Sequence, residues 1–120
     1  MQHLIDKIKQ HPDYHQSGMI LCHEGVVRQN SKDGKKVTGL RVKVNKEALQ
    51  KIMNHYRERP GIIDILVEIH HDMDLNIGDT IMSLVVAGDI RKNVISTLSE
   101  ALDDIKLSVT SKTEYYDESE

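Results

Sequence analysis

A chain of 120 residues makes about one domain with a modest core. It has no Trp and no Phe, so the core must be built from Ile, Val, Leu and Met with a few Tyr, and the aromatic platforms that grip single-stranded nucleic acid are excluded. A formal charge of -3 and a pI near 6.1 exclude a general electrostatic grip on DNA or RNA, so an anion site has to be a local cluster of Lys and Arg. Cys22 is the only cysteine, which rules out a disulfide framework or a thiolate zinc cluster. No apolar run approaches the ~20 residues of a membrane span, and the first residues carry no signal-peptide core. The expectation is a soluble cytoplasmic protein with no membrane or nucleic-acid partner.

In chain order, Leu4, Ile5 and Ile8 fall at helical spacing over His3 to His11, and Pro12-Asp13 stops that helix. A strand is expected from Met19 to Arg28, apolar on both faces early on, as in a central strand. The Asn30–Lys36 segment is a basic turn around Asp33-Gly34. Val37 to Val44 returns with Leu40, Val42 and Val44 inward, so the pair reads as an antiparallel hairpin. Asn45 is a good N-cap for a helix bearing Leu49, Ile52, Met53 and Tyr56 on one face and ended by Pro60-Gly61.

Ile62 to His71 alternates as a strand, Asp72 to Asp79 is a loop, and Thr80 to Ala87 is a central strand. Gly88-Asp89 opens the last helix, with Asp89 as its cap and Ile90, Val94, Leu98, Ala101, Leu102 and Ile105 as its buried stripe. Val109 to Tyr116 can form a final edge strand, and Asp117 to Glu120 an acidic, frayed tail. The order α-β-β-α-β-β-α-β is an α+β layout in one domain spanning residues 1–120.

Few residue groups carry chemistry. Arg91 and Lys92 lie in the first turn of the last helix, where free N–H groups favour an anion; they can equally be solvated surface cations. Lys106 ends the same helix and Lys112 follows; a lysine can act as a nucleophile, but one at a helix end also simply complements the dipole. His70 and His71 point to opposite strand faces, and His11 and His15 straddle Pro12, so no metal site is expected. Cys22 reads as a small buried hydrophobe.

Several segments follow a familiar order. Gly25-Val26-Val27-Arg28 ends a strand, and Lys46-Glu47-Ala48-Leu49 starts a helix. Ile69-His70 precedes Asp74-Leu75-Asn76-Ile77-Gly78-Asp79. Arg91 opens the last helix, Asp103-Asp104-Ile105-Lys106 closes it, and Lys112-Thr113-Glu114 follows. In this order and spacing the chain resembles the large, catalytic subunit of molybdopterin synthase, as a shortened and divergent member. It departs from the family pattern at Ile90, where the family has histidine, and at His71, where it has arginine. It also lacks the Tyr-x-x-Met segment before the middle helix and the Pro and Trp before the second lysine.

The resemblance implies an α/β-hammerhead-like α+β fold, an antiparallel or mixed sheet with helices packed on it. It implies a homodimer that takes the C-terminal tail of a small ubiquitin-like sulfur carrier ending in Gly-Gly. Thiocarboxylate sulfur would pass from that tail to a cyclic pyranopterin phosphate, forming molybdopterin. Lys106 and Lys112 would be the catalytic residues, with Lys106 contacting the carrier's terminal carbonyl as nucleophile or acid. Arg28, Arg91 and Lys112 would hold the substrate's charges, across a dimer interface where needed, and Lys92 joins Arg91 as an anion-binding candidate through its place in the helix's first turn. The pterin phosphate is then substrate, and no cofactor is called for. Two other readings stay open: a non-catalytic relative acting as a binding or regulatory module, and a small α+β domain for homo-oligomeric assembly or transcriptional regulation.

Overall fold

The structure, a computed structural model, describes residues 1–117. Its elements are α1 (Gln2–Lys9), a 3-10 turn (Tyr14–Gln16), β1 (Met19–Val26), β2 (Val37–Val44), α2 (Lys46–Arg57), β3 (Ile62–Ile69), β4 (Asp74–Asn76), β5 (Thr80–Gly88), α3 (Arg91–Ser108) and β6 (Thr110–Tyr116). The expected α+β order holds, with one strand added: β4 lies inside the segment read as a loop. Three residues are too few to show an alternation, and β4 exists because Gly39, Leu40 and Arg41 of β2 offer it a pairing edge.

The strands form two antiparallel three-stranded sheets, ordered β1-β5-β3 and β4-β2-β6. The expected hairpin of β1 with β2 is therefore wrong. β1 pairs along its length with β5, while β2 pairs with β6 and β4. The basic turn between them closes only locally, through the Asn30–Lys36 bridge and the Val37 N–H to Gln29 carbonyl bond of 2.7 Å. A local turn signal fixes a reversal but not which sheet the returning strand joins. β1 also lies at a sheet edge, whereas β5, buried from Met82 to Gly88, is the centre, as its doubly apolar sequence requires.

β1 ends at Val26, where the register shifts, and Val27 turns into the second sheet's own core. A second register shift at Ile62–Asp64 breaks the simple alternation of β3, so Ile63 and Ile65, two residues apart, pack on opposite faces.

The main core lies between the first sheet and the helices α2 and α3; Met53, Tyr56, Ile65, Leu84, Val94 and Ile105 belong to it. α1 covers the other face with Leu4 and Ile8 against Leu66, Val85 and Ala87. A smaller core of Val27, Leu40, Val42 and Leu75 holds the second sheet. Asn45 caps α2 as expected: its Oδ1 accepts the Ala48 N–H at 3.1 Å. Asp89 is not the cap of α3. Ile90 holds that position, and Asp89 Oδ1 instead accepts the Ile90 N–H and the Asn93 Nδ2–H.

Ile90 is 56% exposed and leaves the predicted stripe, because as N-cap it is extended and precedes the first helical turn. Thr97 takes a buried place instead. Cys22 is exposed, not buried: it lies on the α1 side, lining an open cleft with Ile5 and Lys9 of that short helix. Of the tail expected to fray, Asp117 is held by its N–H to the Lys36 carbonyl and by an ion pair with Lys36 at 3.5 Å; the remaining three residues lie outside the described residues.

Candidate functional site

Where the two sheets meet under the C-terminal end of α3, a cleft of about 150 Å³ opens. The first sheet gives it His23, Gly25, Ile69 and Met82; the second gives Val42 and Lys112; α3 gives Lys106. Lys106 stands in the last helical turn, where carbonyl dipoles favour a cation. The preceding residue, Ile105, is completely buried, so the turn that carries Lys106 is fixed by packing. Lys112 comes from β6, opposite Val42 in the ladder with β2.

A second, wider cleft of about 490 Å³ adjoins the first through Val26, Ile81 and Lys112. Arg28, Lys32, Asp33 and Glu114 line it. Thus Lys106, Lys112 and Arg28 gather around one composite groove, with Lys32 added from the basic turn. Burial lowers the Lys112 pKa, and the nearby Lys106, Arg28 and Lys32 lower it further, against the pull of Glu114. The side chain still has solvent-exposed surface, so the ammonium is withdrawn from water only on the groove side. Several cations forced together with few counter-charges make a place that gains by binding an anion.

Arg91 and Lys92 are exposed at the opposite end of α3. At about 1.5 Å of rise per residue, Arg91 lies roughly 22 Å along the axis from Lys106. Within one chain it does not join the groove.

Sequence reasoning missed His23 and Lys32. The signal for His23 was present: it alternates with Met19 and Leu21, which pack on the main core, so it points to the helix side and is followed by Gly25 on the same face. Lys32 could not be found without knowing where the turn folds. Among the described residues no three His, Cys, Asp or Glu side chains group as a metal site. No helix of the described residues is long and apolar enough to cross a membrane.

The class of protein is set by these features: an α+β chain with a basic groove between two antiparallel sheets at a helix end. The profile of the MoaE protein family matches residues 1–108, and the chain belongs to that family. It shares the fold of the molybdopterin synthase large subunit and takes part in molybdenum cofactor biosynthesis.

The molybdopterin synthase of Staphylococcus aureus is similar with a TM-score of 0.73 and 25% identity, over 86% of this chain and 77% of that one. The complex of subunits 1 and 2 of the molybdopterin-converting factor from Helicobacter pylori 26695 matches with a TM-score of 0.71 at 17% identity, over 98% and 84%. Molybdopterin cofactor biosynthesis protein E from Burkholderia multivorans ATCC 17616 gives 0.72 at 20% identity, over 98% and 85%. The last two speak to the fold alone. No curated protein matches the chain.

Proposed function

We propose that this chain is the sulfur-transferring large subunit of a cytoplasmic molybdopterin synthase, a single domain that works as a homodimer. Its substrate is a cyclic pyranopterin phosphate. Its sulfur donor is the thiocarboxylated Gly-Gly tail of a small ubiquitin-like subunit. The observation that carries the reading is the meeting of Lys106 and Lys112 on one cleft, from two different elements, with Arg28 on the adjoining one. The narrow cleft suits an extended glycine tail, and the wider basic one suits a phosphate.

Lys106 contacts the carrier's terminal carbonyl as nucleophile or acid, Lys112 holds charge between tail and pterin, and Arg28 binds the phosphate. Preorganised cations of this kind stabilise developing negative charge where water is excluded. Arg91 and Lys92 lie too far along α3 to serve the same chain's groove, so they act on the partner protomer's substrate.

The test supplies purified chain, thiocarboxylated carrier and pyranopterin precursor, and measures molybdopterin formed. Wild type should turn over, and Lys106→Ala should lose at least about 100-fold. An inactive wild type overturns the reading. The exposed isoleucine at position 90, where the resemblance expects histidine, favours a second reading, a carrier-binding module without turnover. That reading requires wild type to retain the carrier in a pull-down while forming no product.

A further inference from the structure

Of the seven histidines His23 is the one in the cleft wall, and the others are engaged elsewhere apart from His15, which is exposed. His3, His70 and His71 each face a carboxylate, Glu68 for the first two and Asp72 for the third. His11 Nδ1 accepts the Asp13 N–H, and His55 packs edge-on against the Tyr56 ring. His23 is half-buried in the cleft wall, and its ring nitrogens make no hydrogen bond to another described residue. A Cβ added to Gly25 would stand 3.5 Å from His23 Nε2, so the glycine leaves that nitrogen open space at the cleft wall.

The groups that face the ring are cationic. α3 presents Lys106, and β6 presents Lys112, with Glu114 beyond it on the adjoining cleft. The paired strand β5 offers no titratable side chain. An imidazole in such company is a poor cation and a good proton acceptor. Burial lowers its pKa, and Lys106 lowers it further, which keeps the ring neutral at neutral pH.

Atom balance supplies the task. When an acyl thiolate gives its sulfur to a new carbon, that sulfur is bonded to both partners. The acyl–sulfur bond must then break, and water is the reactant that leaves the carrier as a carboxylate. We propose that His23 is the general base of this step, taking a proton from the attacking water while Lys106 and Lys112 hold the charge that develops on the carbonyl oxygen. The water oxygen bonds to the acyl carbon, and its proton moves to Nε2. The carbonyl electron pair shifts to the oxygen between the lysines. Collapse of that intermediate breaks the C–S bond, the pair leaves on sulfur as a thiolate, and the ring returns its proton to solvent. A cleft of about 150 Å³ holds a few waters at about 30 Å³ each, enough for the nucleophile. The proposal rests on the sulfurtransferase reading above.

Two measurements test it. The first compares molybdopterin formation by wild type and His23→Gln across pH 5 to 8. Wild-type turnover should rise as the ring loses its proton and then level off. His23→Gln should be slower by about 100- to 10,000-fold and lose that acidic limb, with carrier binding unchanged. Turnover within threefold of wild type, with the limb retained, overturns the proposal. The second follows the His23 ring signals by NMR in wild type and in Lys106→Met, and needs neither activity nor the Gln variant to fold. The midpoint should lie below the usual ~6.5 and rise when Lys106 is removed. An ordinary midpoint indifferent to Lys106 also overturns it. A wild type that forms no product defeats the sulfurtransferase reading itself and takes the base with it. An active wild type with an unaffected His23→Gln removes only the base.

Discussion

Ile105 and Leu107 are two residues apart on the last turn of α3, on either side of Lys106, and the fold gives them opposite fates. Ile105 is 0% exposed in the main core, and Leu107 is 84% exposed. Truncating a fully buried isoleucine to alanine removes its transfer free energy and leaves a cavity, together about 2–5 kcal/mol. Against a total of about 5–15 kcal/mol for a domain, that is a large share. With a urea slope of about 1–3 kcal/mol per molar, Ile105→Ala should lower the unfolding midpoint by about 1–2 M with the slope unchanged. Leu107→Ala removes as many carbon atoms from a side chain that is already wet and should stay within about 0.5 kcal/mol of wild type. Urea titration followed by circular dichroism measures both.

The same pair separates packing from placement. At 10 °C, where Ile105→Ala remains folded, the cavity under the last turn lets Lys106 drift, and a displacement near 1 Å can cost up to about 100-fold in turnover. Leu107→Ala should keep full turnover. If the two variants lose equal stability, or if Ile105→Ala costs under about 0.5 M in midpoint, the claim that packing fixes the lysine-bearing turn is refuted.

Other outcomes follow from the same structure. Tyr56 is buried and donates to Asp104; burial, that bond and the Asp104 charge push its pKa up to about 12. A phenol with a raised folded pKa contributes stability that is complete below about 10 and lost as pH rises toward 12, so alkaline unfolding should begin in that window and be displaced in Tyr56→Phe. Lys112 has a lowered folded pKa, so its charged form opposes folding at neutral pH, and the opposition fades as pH rises toward 10.5. Lys112→Met should therefore raise the neutral-pH melting temperature while abolishing turnover, a combination that thermal melts and the product assay would detect. Gly61 has φ 82, and a Cβ there would collide with Asp89 Oδ1 and Asn93 Nδ2; Gly61→Ala should cost about 1–3 kcal/mol in urea titration. Asn45→Ala should cost about 1 kcal/mol through loss of the α2 cap.

Elements defined by their own periodicity were legible in the sequence. α2 shows its cap, its Leu49–Met53–Tyr56 face and its Pro60-Gly61 stop, and β5 shows a run too apolar for anything but a sheet centre. Partner choice was not legible. β1 and β2 flank a good turn, yet β2 finds longer pairing with β6, more than sixty residues away. Asp89 has the chemistry of a cap, but its carboxylate is engaged one residue early, which pushes Ile90 into the cap position and out to solvent. In the site, Lys106, Lys112 and Arg28 could be selected from the sequence, because their spacing resembles that of a family. His23 could not be selected as readily, since a histidine on a core-facing strand position is usually just a packed side chain.

Division of the groove between two sheets separates its chemistry from its scaffold. Lys106 belongs to a helix anchored on the larger core, and Lys112 to a strand whose sheet rests on four buried side chains. Partial opening of the smaller sheet would carry Lys112 away while α3 stays folded. The chain can then spend part of its time native in every helix yet without a working groove. Amide exchange should show β2 and β6 opening more readily than β5, and the fraction of competent molecules should follow the stability of four residues, not that of the whole fold. Tightening Val27, Leu40, Val42 and Leu75 would raise that fraction without altering any group that meets substrate.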